Sequence, residues 1–135
     1  MAGPWLCQHL WEHFLFGGDE QFLRERAYPL MRGAAEFCLD WLVEDGRGRL
    51  VTAPATSPEN RFRTPDGQVA AVSMATTLDM ALIWDLFSSC IAASELLGED
   101  AKLRAELVRA RERLLPPGVG AAGQLREWSE DWDLL

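Results

Sequence analysis

The feature that most constrains this fold is a long apolar segment at residues 77–97. Thr76 or Thr77 is suited to cap the start of a helix there, and Gly98 is suited to end it. Apolar side chains form one face of that helix and add to a second, namely Leu82, Ile83, Leu86, Phe87, Cys90, Ile91 and Leu97, with Met80 and Trp84 on the second face. A helix that is apolar around most of its circumference is enclosed by other elements. We therefore expect a buried helix within a layered helical fold.

The N-terminal part predicts two more helices and a short one between them. Pro4 is placed to open a helix over residues 5–16, which Gly17 and Gly18 would end. This segment is apolar around much of its circumference, so we expect its neighbours to enclose it as well. Asp19 can cap a short helix that continues through Arg26.

Pro29 predicts the start of a second longer helix that runs to about residue 44. One broad apolar stripe recurs along it at helical spacing, formed by Leu30, Ala34, Phe37, Cys38, Trp41 and Leu42. Residues 50–52 then favour a brief extended piece.

The last predicted helix begins at Asp100 and has a different character. Its apolar stripe is narrow and lies among many charges, formed by Leu103, Leu107, Ala110 and Leu114. This is typical of a surface helix, and the run from Pro116 to Gly118 would stop it. Buried helices therefore alternate with amphipathic ones, which predicts an all-α fold of layered helical hairpins. A toroid with an inner and an outer ring of helices has this character, and these helices would be only part of one.

Composition narrows the partners and cofactors that the chain can use. Its 135 residues suffice for one domain, and its net charge of −8 repels phosphate backbones, so nucleic acid is not an expected partner. No run of about 18 apolar residues occurs, so no membrane span is expected.

Cys7, Cys38 and Cys90 lack disulfide or zinc-ribbon spacing and are predicted to be buried thiols. Six tryptophans suit a core together with a cleft that holds flat apolar ligand faces, sugars included.

One long stretch, residues 56–67, fits neither helical nor strand periodicity. A loop of that length in a compact domain is usually functional or disordered. Glu59 follows Pro58 and is our candidate for the chemistry, while the amide of Asn60 can bond a ligand hydroxyl. Arg61 and Arg63 would either keep acidic groups of a pocket ionised or anchor the loop. The alternative is a solvated surface loop rich in turn-forming residues.

A second candidate site is the segment His9-Leu10-Trp11-Glu12-His13, which matches the pattern H-x-x-E-H. On a helix, His9 and His13 share a face and can both bind zinc, with Glu12 as a base. Glu95 on a later helix is a conceivable third ligand. The apolar neighbours also fit two histidines at the edge of a core, so a zinc peptidase is an alternative and not the main hypothesis.

The remaining carboxylates are weaker candidates. The position of Asp79 near the start of the long helix is explained by its interaction with the helix dipole. Glu127 is adjacent to Trp128 and is a candidate cleft residue. Asp131 and Asp133 fit a solvated acidic tail.

Several segments, taken in order, together resemble glycoside hydrolase family 95. They run nearly from end to end of the chain and comprise residues 5–13, Tyr28-Pro29-Leu30, residues 33–37, Ser57-Pro58-Glu59-Asn60, Thr77-Leu78-Asp79-Met80, residues 83–87 and residues 124–128. An ordered series of matches is far more specific than any one of these motifs. The resemblance implies that residues 1–135 are a central part of a catalytic domain with an (α/α)6 toroid fold.

The family resemblance also implies an activity, which is chiefly hydrolysis of terminal α-1,2-linked L-fucose, with some members acting on α-L-galactosides. It implies that Glu59 is the general acid and that no metal or other cofactor is needed, so His9 and His13 would serve in packing or at the base of the sugar pocket. We predict Asn60, Arg63, Glu127 and Trp128 as substrate-binding residues. The partner would be a fucosylated oligosaccharide or glycan, and family members are often exported.

The implied mechanism inverts the configuration of the sugar. One carboxylic acid protonates the leaving oxygen while a water attacks the opposite face of the ring. A general acid must hold its proton near neutral pH, which enclosure by aromatic walls would favour. In the family pattern an upstream asparagine pair and a downstream aspartate position and activate the water, and neither segment occurs in these 135 residues. We therefore expect the remainder of the domain to be needed and the isolated chain to be inactive, or to act as a non-catalytic helical fragment that binds sugar or a partner.

Overall fold

The computed structural model describes residues 1–132, and helices dominate it. The longer helices are α1 (Ala2–Gly17), α3 (Tyr28–Trp41), α4 (Thr77–Leu97) and α5 (Ala101–Arg113). The short helix α2 (Glu20–Phe22) and a π-helical segment (Leu23–Ala27) lie between α1 and α3. The prediction of an all-α fold is confirmed in that most of the described secondary structure is helical.

The junction between α2 and α3 shows how the chain accommodates Pro29 without a break. Asp19 caps α2 as expected, because its Oδ1 accepts a bond from the Phe22 N–H at 3.0 Å. The next turn is π-helical, and the Tyr28 N–H donates to the carbonyl of Leu23. A proline cannot donate a backbone bond and its ring crowds the carbonyl four residues earlier. The wider π turn makes room for that ring, so the helix that was expected to begin at Pro29 instead continues from the preceding turns.

Two small antiparallel hairpins occupy stretches where no hairpin was expected. The first pairs β1 (Val43–Glu44) with β2 (Leu50–Val51), with Val43 opposite Val51. The extended piece at residue 50 is confirmed, but the preceding helix ends at Trp41, earlier than expected. The carboxylate of Asp45 explains the difference, because it accepts bonds from the N–H groups of Arg47 and Arg49 at 2.8 and 2.9 Å and closes the hairpin turn.

The second hairpin lies inside the stretch interpreted as irregular. It pairs β3 (Phe62–Arg63) with β4 (Val69–Ala70), with Phe62 opposite Ala70. The turn between the strands is held by the Gly67 N–H, which donates to the carbonyl of Thr64 at 2.8 Å. Gly67 has φ 86°, which a residue with a Cβ adopts only at a cost.

The chain divides into two compact units. The first comprises Met1–Trp41 and Leu82–Arg113, and the second comprises Leu42–Ala81 together with the described residues from Leu114 onward. The core of the first unit is formed by fully buried side chains from several helices, namely Leu23, Met31, Cys38, Ile83, Phe87, Cys90 and Leu107. All three cysteines are buried free thiols, as predicted.

The apolar face expected on α4 is confirmed, since each of its seven predicted members is buried. Of the second face, Met80 is buried and Trp84 is half exposed, with the Arg111 guanidinium 5.7 Å from the centre of its ring. By length and composition alone α4 is the one candidate membrane span among residues 1–132. Most of it is buried in protein, as in the core helix of a globular domain.

Two expectations about helix faces are wrong for the described part of the chain. On α3 the buried stripe is formed by Tyr28, Met31, Ala35 and Cys38, whereas Leu30 and Phe37 are exposed. Both stripes contain large side chains, so the packing of α3 against its neighbours, and not side-chain size, decides which stripe is buried. Helix α1 is not enclosed either, because its buried residues are Pro4, Cys7 and Phe14. Large apolar side chains on its other faces are exposed, namely Trp5, Leu6, Leu15 and Phe16.

Candidate active site

The candidate acid, Glu59, lies in a tight turn formed by residues 57–60. The N–H of Asn60 donates to the carbonyl of Ser57 at 3.2 Å, and Pro58 and Glu59 are the two central residues. Glu59 has φ 62°, a left-handed conformation. Proline at the first central position and positive φ at the second are typical of a type II turn, whose second central residue is normally glycine. A carboxylate therefore occupies a position where the backbone alone would favour glycine.

This turn is tied to a distant part of the chain by a side-chain hydrogen bond. The hydroxyl of Ser57 donates to Oε1 of Glu127, although the two residues are separated by 70 positions. Ser57 is 4% exposed, so its hydroxyl is bonded where water has little access. The start of the turn is thereby fixed to the segment that contains Glu127 and Trp128.

Aromatic side chains pack beside the turn, around Phe62. Its ring stacks on Trp132 with centroids 4.1 Å apart and meets Trp128 edge-on at 4.9 Å. Phe62 and Trp128 are buried, while Trp132 is partly exposed. The β3–β4 hairpin presents Phe62 to these rings because it follows the turn at once. Together they form an aromatic wall next to polar side chains.

An open cavity of about 430 Å³ lies against this wall. It is lined by Asn60, Arg61, Phe62, Arg63, Val69, Glu127, Trp128 and Trp132. The lining combines a primary amide, two guanidinium groups, a carboxylate and three aromatic rings. That mixture suits a ligand with apolar faces and many hydroxyl groups, because rings contact the faces and polar groups bond the hydroxyls.

The cavity brings together four of the five residues predicted for the site. Asn60, Arg63, Glu127 and Trp128 line it, although Glu127 and Trp128 lie far along the chain from the other two. The side chain of Glu59 is exposed and is not among the lining residues, although its neighbour Asn60 is. The aromatic enclosure expected for Glu59 is therefore not provided by the described residues.

Sequence reasoning did not single out three further residues of this site. Phe62 and Trp132 form most of the aromatic wall, and Ser57 holds the turn. The available signals were weak, since Phe62 is an apolar residue in a polar loop and Trp132 lies in a polar tail without periodicity. The pairing of Ser57 with Glu127 has no sequence signal because the two segments are far apart.

Asp79 lies in the same unit but away from the cavity lining. It is buried, and its Oδ2 accepts a bond from the Thr52 hydroxyl at 3.1 Å. Burial raises the pKa of this carboxyl, and the hydrogen bonds from Thr52 and Thr76 offset part of that effect. The helix dipole is therefore not the only interaction of Asp79, because its carboxylate also links the start of α4 to Thr52 next to β2.

The H-x-x-E-H segment lies on α1 with both histidines exposed. The ring of His13 packs against Phe22 at 4.4 Å between centroids. Among residues 1–132 no group of three potential ligands is placed to hold a metal ion. The zinc hypothesis thus gains no support from the structure.

Nearly the whole chain is similar to proteins of one glycosidase family. The glycosyl hydrolase family 95 catalytic domain matches residues 1–134 of the chain. Alpha-L-fucosidase 2 from Arabidopsis thaliana is 41% identical over 134 residues, which is 98% of this chain and 16% of the relative. Probable alpha-fucosidase A from Aspergillus niger is 32% identical over 139 residues, which is 98% of this chain and 17% of the relative.

The chain thus spans about a sixth of the length of these relatives. The match nevertheless covers nearly all of the chain's own residues, including both segments that form the cavity. The resemblance seen in the sequence is confirmed, because the chain matches the catalytic domain of glycosyl hydrolase family 95. This chain therefore belongs to that family of glycosidases.

Proposed function

We propose that this chain carries the acid-bearing part of an α-L-fucosidase site that inverts configuration at terminal α-1,2-linked L-fucose. Glu59 is the general acid, and Asn60, Arg63, Glu127 and Trp128 bind the sugar. The observation that carries this proposal is the cavity beside the Glu59 turn, whose eight lining residues include those four and two further aromatic rings. The names of the two relatives, alpha-L-fucosidase 2 and probable alpha-fucosidase A, support the choice of sugar.

The dimensions and lining of the cavity suit a monosaccharide with part of its neighbour. Ligand sites usually occupy roughly 300–1,000 Å³, and this one is about 430 Å³. The C–H face of a sugar packs well on an indole ring, and of the two indoles in this wall Trp132 is the partly exposed one. The amide of Asn60 and the guanidinium of Arg63 are then available to bond sugar hydroxyls. The resulting hydrogen bonds fix the orientation of the sugar relative to Glu59.

In the proposed reaction, Glu59 donates its proton to the glycosidic oxygen as the bond to fucose breaks. A water attacks the anomeric carbon from the opposite face, which inverts the configuration. The groups that activate this water belong, in our proposal, to the remainder of the catalytic domain, which also completes an (α/α)6 toroid. The exposed position of Glu59 fits this arrangement, because neighbouring parts of a complete domain would enclose the carboxyl and favour its protonated form.

The first experiment tests the proposed division of the active site between this chain and the remainder of the catalytic domain. The purified chain is incubated with 2′-fucosyllactose and free fucose is measured. We expect no release, because removing the groups that activate the water costs at least the 10²–10⁴-fold typical of positioned proton transfer. Release of fucose by the isolated chain would refute the proposed division.

The second experiment tests Glu59 itself in a full-length protein that contains this segment. Glu59→Gln should lower kcat by about 10²–10⁴-fold while the substrate still binds, since the amide cannot donate the proton. Asp66→Asn is a matched control, because Asp66 is an exposed carboxylate of the same loop outside the cavity lining. Wild-type turnover by the Glu59→Gln variant would exclude Glu59 as the acid.

A further inference from the structure

The segment that contains Glu127 is anchored on both sides. Before it, the Arg126 N–H donates to the carbonyl of Gly118 at 2.9 Å, and a Cβ at Gly118 would lie only 1.9 Å from Nη2 of Arg126. After it, Trp128 is 3% exposed and packs edge-on against Phe62. The carbonyl of Glu127 accepts a bond from the Thr77 N–H at 3.0 Å, at the start of α4. The backbone of Glu127 is therefore held by elements outside the 57–60 turn.

In the part of the chain that the structure describes, the turn itself contains one backbone hydrogen bond and three exposed residues. Its internal bond joins the Asn60 N–H to the carbonyl of Ser57, and Pro58, Glu59 and Asn60 are exposed. Glu59 has a positive φ, a conformation that persists in a non-glycine residue only where the surroundings hold it. The buried contact of this turn is at Ser57, whose hydroxyl donates to Oε1 of Glu127. A hydrogen bond to a carboxylate is stronger than one between neutral groups.

We propose that Glu127 is a positioning residue, which holds the turn that carries Glu59 by accepting the hydrogen bond of Ser57. The catalytic importance of Glu59 rests on the proposed function. The hydrogen bond by which Glu127 holds the turn does not depend on that function. Glu127 also lines the cavity, so the same side chain connects the sugar-binding wall to the turn. A small displacement of a catalytic group costs much of the advantage of a prearranged site. The role of Glu127 is therefore to keep Glu59 at a fixed position relative to the bound sugar.

The test uses limited trypsin digestion of the 135-residue chain, followed by mass spectrometry. Arg61 directly follows the turn, so cleavage after Arg61 reports opening of this turn and of the start of β3. Ser57→Ala and Glu127→Ala should each raise the initial rate of that cleavage about 10-fold, because losing a hydrogen bond to a charged group makes opening more frequent. Glu127→Gln keeps an acceptor oxygen at the same place and should restore a rate within about 3-fold of wild type, since the hydrogen bond itself is retained.

Two controls separate positioning from general loss of stability. Thr56→Ala changes an exposed residue of the same loop and should leave the cleavage rate unchanged. Cleavage after Arg47, in the β1–β2 turn, should stay constant in every variant. An unchanged rate at Arg61 in Ser57→Ala and Glu127→Ala, an equal rise at Arg47, or a Glu127→Gln variant as sensitive as Glu127→Ala would overturn the proposal. Because the readout involves no sugar turnover, these outcomes are independent of the Glu59→Gln experiment.

Discussion

At the residue scale, a few residues with side chains adopt a backbone conformation that favours glycine. Glu59, Ala75 and Asp100 are the non-glycine residues with positive φ among residues 1–132. A left-handed conformation costs a non-glycine residue roughly 1–2 kcal/mol. Glu59 is exposed, so packing of its own side chain does not repay this cost. A carboxyl group placed there at the expense of stability fits the chemical role proposed for Glu59.

Replacing Glu59 with glycine should therefore stabilise the folded chain. Relief of the left-handed strain outweighs the extra freedom of glycine in the unfolded chain, and we expect a net gain of about 0.5–1 kcal/mol in the free energy of unfolding. Urea denaturation followed by tryptophan fluorescence measures it. Thr56→Gly is the matched control, since Thr56 lacks a positive φ and its replacement should destabilise. A Glu59→Gly variant less stable than wild type would show that the conformation is not strained.

Tyr28 provides a test of the structure at high pH. Burial, with the hydrogen bond from its hydroxyl to Asp100 at 3.0 Å, raises the pKa of Tyr28 from 10.0 to about 12. It is the only tyrosine of the chain, so the absorbance change near 295 nm reports this residue alone. We expect a titration midpoint near 12 in the folded chain and near 10 in urea.

The sign of the effect on stability follows from the same comparison. Because the folded pKa of Tyr28 lies above the unfolded one, the contribution of the protonated phenol is fully present below pH 10 and is lost as the pH rises toward about 12. A folded-state midpoint near 10 would contradict the buried environment of this ring.

At the scale of elements, local capping and turn interactions decide where helices start and end. Gly18, with φ 66°, ends α1, and its N–H donates to the carbonyl of Phe14. The carboxylate of Asp45 closes the β1–β2 turn, and backbone N–H groups that donate to it lower its pKa. These contacts lie within a few residues of one another, so each of them leaves a signal in the sequence. The π turn before Pro29 is different, because it depends on how a proline is fitted into a helix that tertiary packing keeps continuous.

Removal of the Asp19 cap should measurably weaken the α2 region. Asp19→Ala leaves the Phe22 N–H without its side-chain acceptor and should lower the free energy of unfolding by about 1 kcal/mol. Asp19→Asn keeps an acceptor oxygen and should lose much less. Chemical denaturation of the three proteins provides the comparison. Equal losses for Asp19→Ala and Asp19→Asn would show that charge, and not the cap, stabilises this helix start.

At the scale of the whole molecule, the described part of the chain exposes many large apolar side chains. Phe16 is 89% exposed and Leu30 is 61% exposed, and the other large apolar side chains of α1 and α3 that are at least half exposed are Trp5, Leu6, Leu15 and Phe37. Extended apolar surface on a soluble domain marks an interface. Our proposal that further parts of the catalytic domain complete a toroid accounts for such surface, because those parts would cover it.

The isolated chain is therefore expected to self-associate. Sedimentation at increasing protein concentration should show species heavier than the monomer. High salt should promote association, because it screens the repulsion that follows from the net charge of −8. A variant with Phe16→Lys and Leu30→Lys should associate less, whereas His9→Lys, on the exposed part of α1, is a matched control. A clean monomer at high concentration would count against the view that this chain is part of a larger ring.

The sequence by itself determined the order of the helices, the Asp19 cap, the end of α1 at Gly18, the buried face of α4, the family, and four of the residues that line the cavity. These follow from spacing along one element or from short motifs, which act over a few residues. The two hairpins are local and were missed, whereas only tertiary contacts decided which stripe of α3 is buried and that Ser57 bonds Glu127. Such contacts depend on which surfaces meet after the chain folds, and residues separated by 70 positions leave no common pattern in the sequence. The candidate acid could therefore be found from its motif, whereas the residue proposed to hold it in place could be found only from the folded chain.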